Sequence, residues 1–108
     1  DSVCFTYGDT IYVPSGNIIS FDLLAHEKTH SVQQKDNPGL WWDKYMEDSV
    51  FRLDQELEAY RNQYTAFKNI CSDREKVNKF LIKIALDLSS ALYDNVIDFW
   101  TAYKKIKN

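Results

Sequence analysis

The placement of the histidines constrains this chain more than any other feature. There are two of them, four residues apart, with a glutamate directly after the first: His26–Glu27–Lys28–Thr29–His30. For a chain of this composition, chance produces that arrangement in roughly one sequence in a thousand. Residues four apart lie on one face of a helix, so both imidazoles can reach one metal ion. Glu27, one residue on, sits beside such an ion and can take a proton from a water activated there. The reading requires a helix, and the flanking residues supply its signals. Ser20 is a suitable N-cap, Asp22 falls in the first turn, and the helical pattern runs from Phe21 to about Gln34. Asp36–Asn37–Pro38–Gly39 then ends it.

The remaining elements follow from periodicity. Val3, Phe5 and Tyr7 alternate with polar neighbours, Gly8–Asp9 makes a tight turn, and Ile11, Tyr12 and Val13 return as a second strand. Ile18–Ile19 is a candidate third strand. The aromatic stretch Leu40–Trp41–Trp42 through Asp48 reads as one or two helical turns and a connection. A long amphipathic helix is expected from about Ser49 to Ile70, with Leu53, Leu57, Tyr60, Tyr64 and Phe67 at helical spacing. Ser72–Asp73–Arg74–Glu75 matches a capping box ahead of an apolar-periodic run from Val77 to Tyr103, with breaks expected at Ser89–Ser90 and Asp94–Asn95. The fold class expected is α+β, mainly α. A small antiparallel sheet of two or three strands packs on the helix of His26, a glutamate-bearing helix and a C-terminal helical segment.

Two histidines do not complete a catalytic metal site, which uses three protein ligands and an open position. Cys4 and Cys71 lack the close spacing of a zinc pair and read as free thiols, with at most one disulfide between them. A carboxylate is therefore needed, and Asp54, Glu56 and Glu58 are the candidates. Asp54 and Glu58 share a face. Glu56 borders the stripe of Leu53, Leu57 and Tyr60, and can face another helix.

Composition sets the outer limits. With 44% hydrophobic residues the chain can bury a core, and its length fits one domain spanning 1–108. A net charge of −3 without clustered Lys and Arg argues against nucleic acid as a partner. Apolar runs as short as Phe80–Leu81–Ile82 argue against membrane insertion, which needs about 18 consecutive apolar residues. No signal-peptide pattern opens the chain, which favours a cytoplasmic protein.

The stretches His26–Gln33 (HEKTHSVQ), Trp41–Tyr45 (WxxxY) and Glu56–Tyr60 (ExxAY), in that order after a hairpin, resemble the gluzincin zinc metallopeptidases. Within that group they resemble the minigluzincins, minimal scaffolds related to the catalytic domains of integral-membrane metallopeptidases. The resemblance covers roughly Cys4 to Tyr64. It implies one catalytic Zn2+ held by His26, His30 and Glu56, with Glu27 as general base and acid, acting on a peptide or protein substrate. Gluzincins more often carry Asp where Tyr60 stands, and the Tyr60 hydroxyl is expected to accept from a ligand imidazole. Tyr45 is the candidate donor to the tetrahedral oxyanion, and Gln33 reads as helix end or cleft wall. The resemblance further implies latency, with residues 73–108 covering the cleft. The covering is expected within one molecule or by exchange of the C-terminal helix in a homodimer, and Asp87, Asp94 and Asp98 are the candidate carboxylates of this segment for the open zinc position. The competing reading is a non-catalytic metal-binding scaffold or interaction module that retains the fold.

Overall fold

The computed structural model describes residues 3–108. Strands β1 (Phe5–Tyr7) and β2 (Thr10–Tyr12) form an antiparallel hairpin in which Phe5 pairs with Tyr12, Thr6 with Ile11 and Tyr7 with Thr10. The two-residue loop needs a positive φ at its first position, and Gly8 supplies it at +64°. No third strand forms among the described residues, and Ile18 is 95% exposed in irregular chain. The apolar pair had no strand partner to reach, because Pro14 to Asn17 turns the chain away beforehand.

Helix α1 (Phe21–Gln34) begins at Ser20, whose hydroxyl accepts from the Leu23 amide. Its buried residues are His26, Glu27, Thr29, His30 and Gln34, while Phe21 and Val32 are exposed. The polar face, not the apolar one, is turned inward. Helix α2 (Pro38–Glu47) is longer than the expected turn or two. Asn37–Pro38 both closes the preceding segment and opens this helix, since the Asn37 side chain accepts from Leu40 N and Pro38 takes the first helical position, where its missing N–H costs nothing.

Helix α3 (Ser49–Ile70) spans the expected residues and divides the molecule. One face carries Leu53, Leu57 and Tyr64 toward α4 (Arg74–Leu88) and α5 (Phe99–Lys107), where Leu81, Ile84, Ala85, Leu88, Ala102 and Ile106 complete the apolar core. The adjacent face carries Glu56, Ala59 and Gln63, and packs along α1. Ala59 is fully buried there, and its small side chain suits close approach of two helix backbones. Cross-links between the two helices are polar: Asn62 donates to Thr29 Oγ1, and Gln63 to Asp22.

The C-terminal segment breaks where the sequence weakens. Leu88 ends α4, a 3-10 turn covers Ala91–Tyr93, and Asp94 and Asn95 both adopt positive φ before α5. The N-cap of α4 is Asp73 rather than Ser72, for the Asp73 carboxylate accepts from the amides of Glu75 and Lys76. Either residue could have served by sequence, and an ionised carboxylate is the stronger acceptor at a helix N-terminus. Asp73→Ala is accordingly expected to cost about 1 kcal/mol in urea denaturation, and Ser72→Ala only a small fraction of that.

Candidate metal centre

The spacing of α1 brings His26 and His30 to one face, and their Nε2 atoms lie 3.2 Å apart. Glu56 enters from α3, with Oε1 at 3.1 Å from His26 Nε2 and 3.0 Å from His30 Nε2. All three residues are buried, and together they form a group that can hold a metal ion. A tetrahedral ion with bonds of about 2.0–2.1 Å would separate its ligand atoms by about 3.3 Å. The three atoms already stand near that spacing. Of the three carboxylates weighed on α3, the structure brings Glu56 to the histidines. Glu58 turns to Gln33, and Asp54 is exposed away from the cluster.

Electrostatics inside the cluster follow from burial and pairing. Burial pushes the Glu56 carboxyl upward, but hydrogen bonds from His26 and His30 outweigh it and hold the group well below the usual carboxylate range. Burial pushes His30 downward, and its hydrogen bond to Glu56 more than offsets that, leaving it raised. Tyr45 donates its hydroxyl to Glu56 Oε2 at 2.5 Å. Burial and the Glu56 charge keep that phenol protonated far above its ordinary range. The same two causes push Tyr60 up to about 12 and also raise Tyr93.

Glu27 is buried beside the cluster, not in it. The Thr6 hydroxyl on β1 lies 2.8 Å from Glu27 Oε1 and 3.1 Å from Glu27 O. Thr6 is itself held by a residue that sequence reasoning passed over. Gln34 donates to Thr6 O at 2.8 Å and accepts from Gly8 N at 2.7 Å, so the last residue of α1 clamps the hairpin. Trp42 Nε1 also donates to Thr6 O, and Ser31 to Gly8 O. Trp41 buttresses the other side, stacking on Tyr45 and tilted against His30, with its indole N–H on Gln55. Arg52 fastens the end of α2 by donating to Tyr45 O and Met46 O.

Tyr60 meets His26 differently from the expectation. Its ring stands edge-on to the imidazole, with centroids 4.4 Å apart. His26 Nδ1 is buried without a hydrogen-bond partner among the described residues. Gln33 does bond a ligand imidazole: its Oε1 accepts from His30 Nδ1 at 2.8 Å. Two neighbouring glutamines thus reach opposite ways, an arrangement that local periodicity did not reveal.

The cluster opens on a cleft of about 560 Å³. Val3, Cys4 and Phe5 line one wall, and the C-terminal segment supplies the opposite one through Phe80, Lys83, Ile84, Asp87 and Tyr93. Of the three aspartates considered there, only Asp87 lines the cleft, where it pairs with Lys83. Asp94 is bound to Ser49 and Arg52, and Asp98 caps α5. Cys4 and Cys71 are free thiols, each partly exposed. No helix among the described residues is long and apolar enough to cross a membrane. No protein-family model, curated protein or solved structure matches this chain.

The geometry predicts one tight site for a divalent transition-metal ion, measurable by calorimetric titration of metal-free protein. Glu56→Ala should weaken it by more than about a hundredfold, exceeding the loss typical of a residue that only supports a ligand. Glu58→Ala should preserve the one-to-one stoichiometry.

Proposed function

We propose that this chain is a zinc-dependent peptidase whose site is His26, His30 and Glu56 as ligands with Glu27 as general base. The observation that carries the reading is the convergence of the three ligand atoms on one point of an open cleft, with a buried carboxylate beside it. Two neutral imidazoles and a carboxylate are a donor set suited to zinc, and the set leaves a fourth position for water or substrate. Zinc bound there supplies Lewis acidity, which polarises a scissile carbonyl and lowers the pKa of water. Glu27 accepts the water proton as the oxygen–carbon bond forms, then delivers it to the nitrogen as the carbon–nitrogen bond breaks. Thr6 engages one Glu27 oxygen and so fixes the direction in which the other is presented. Trp41 packs against His30, and Trp41 and Trp42 line the cleft beside it.

By sequence, Tyr45 is the candidate oxyanion donor. Its hydroxyl is directed to Glu56 Oε2, which supports a role in holding that carboxylate with Oε1 toward the histidines. The two roles give different results in Tyr45→Phe. Loss of a carboxylate holder lowers zinc affinity about tenfold or more, whereas loss of an oxyanion donor lowers kcat by about 10²–10³ at unchanged affinity. The hydrogen bond to Glu56 predicts the first outcome.

Latency of the isolated chain is supported by the C-terminal residues that wall the cleft. One further observation favours the competing reading of a metal-binding scaffold without turnover. The wall-forming segment also carries Leu81, Ile84, Ala85 and Leu88 of the core, so removing it strips the core as well as opening the cleft. The same segment packs on α3 of its own chain, which makes exchange between two chains an additional arrangement to be tested by solution mass. The deciding measurement is hydrolysis of a mixed peptide library by zinc-loaded protein. Slow cleavage is expected, abolished in Glu27→Gln with zinc still bound. Full zinc occupancy without cleavage at any peptide length would replace the peptidase with the scaffold.

A further inference from the structure

We propose that Gln33 is a positioning residue that sets the tautomer and orientation of His30 and anchors this ligand to the opposite helix. The inference rests on the reading of His26, His30 and Glu56 as a metal site. Gln33 follows His30 by three residues and so lies over the same face of α1. Its amide nitrogen is 2.9 Å from Gln55 O and 2.8 Å from Glu58 Oε1.

Both of those partners constrain the amide. A backbone carbonyl can only accept, and so can an ionised carboxylate. The end of Gln33 that faces them must be the NH2 group, which settles the orientation of an amide whose two ends are otherwise interchangeable. The other end is then a carbonyl oxygen, also an acceptor, and it lies 2.8 Å from His30 Nδ1. The proton of a neutral His30 therefore resides on Nδ1, and its Nε2 lone pair points at the position shared with His26 Nε2 and Glu56 Oε1. The Gln55 carbonyl belongs to the backbone of α3 and has no donor state to offer. A main-chain carbonyl one residue before the ligand Glu56 thus dictates which nitrogen of His30 is free to bind metal.

The contrast with His26 sharpens the assignment. His26 Nδ1 has no hydrogen-bond partner among the described residues, so its ring is placed by packing against Tyr60. Of the two imidazoles, His30 is the one whose Nδ1 is held by a hydrogen bond among the described residues. Gln33 also bridges α1 to α3 at the level of the site, so the separation of the two ligand-bearing helices is set beside the metal position itself. Glu58, two residues past Glu56, acts as the second anchor of the same amide.

Four variants test this: Gln33→Met, Gln33→Glu, Glu58→Gln and the double variant Gln33→Glu/Glu58→Gln. Zinc affinity is measured by competition with a chromophoric chelator. Gln33→Met keeps the side-chain length and removes both hydrogen-bonding ends, and it should weaken zinc about 10–100-fold. Gln33→Glu retains an acceptor for His30 but sets a second carboxylate oxygen against Glu58 and Gln55 O, so it should also weaken binding. Adding Glu58→Gln restores a donor opposite the new carboxylate and should recover most of that loss. Wild-type affinity in Gln33→Met, or no recovery in the double variant, overturns the proposal. A second arm is independent of metal. Long-range 15N spectra of the metal-free wild type should show the His30 Nδ1–H in slow exchange with water, and Gln33→Met should lose it. Wild-type protein that keeps this signal but binds no zinc defeats the metal-site reading while leaving the hold of Gln33 on His30 intact. Identical His30 spectra in wild type and Gln33→Met defeat the Gln33 inference whatever the zinc result.

Discussion

Three buried groups from two helices present their ligand atoms to one point within 3.2 Å of each other, and the rest of the structure is arranged around that contact. Two imidazole nitrogens and a carboxylate oxygen so close together need a shared cation, whether protons or a metal ion, to be stable out of water. To bring them together, α1 must run tightly beside α3. The contact is made through Ala59, Thr29 and a series of amide side chains rather than through interlocking leucines. An apolar interface of ordinary thickness would have held the ligands apart.

That choice moves the apolar core elsewhere. It lies across α3, between α3, α4 and α5, and α1 contributes no buried aliphatic side chain to it. The cost of burying so many polar groups on the α1 side is limited by near-complete pairing. Thr6, Glu27, His30, Gln34 and Glu56 all have partners, and an unpaired buried group costs about 1–3 kcal/mol. The hairpin belongs to the same network. Gln34 and Ser31 occupy the outward-facing backbone groups of Thr6 and Gly8, so β1 is attached to α1 by side chains instead of a third strand.

The parts of this design that were legible in the sequence depend on short separations. His26 and His30 are one helical turn apart, Ser20 sits at its own helix end, and Glu56 borders an apolar stripe that marks which way α3 faces. The helix breaks after Leu88 and at Asp94–Asn95 are equally local. Most of the hairpin and interhelix bonds that escaped reading join groups 20 or more residues apart. The Thr6–Glu27, Gln34–Gly8 and Gln33–Gln55 bonds join separate elements, and a glutamine carries no periodic signal of its partner. Misreadings at Asn37–Pro38 and Ser72–Asp73 have a different origin. In each place one short string satisfies two local rules: at Asn37–Pro38 both are used, and at Ser72–Asp73 the carboxylate takes the cap.

Ile84 is 1% exposed in the apolar core, and it also lines the cleft. One side chain therefore belongs to the interior and to the wall of the cleft at the same time. Larger proteins separate these duties, so that the wall of a site can vary while the interior stays constant. Here a substitution at Ile84 that reshapes the cleft is also a substitution in the interior, felt at the level of single methylene groups. Neutral drift at this position is narrow, and a new shape of the cleft made there has to be accompanied by repacking of the core that also holds Leu53, Leu57 and Ile106. At Ile84 the shape of the cleft and the stability of the fold are inherited as one trait.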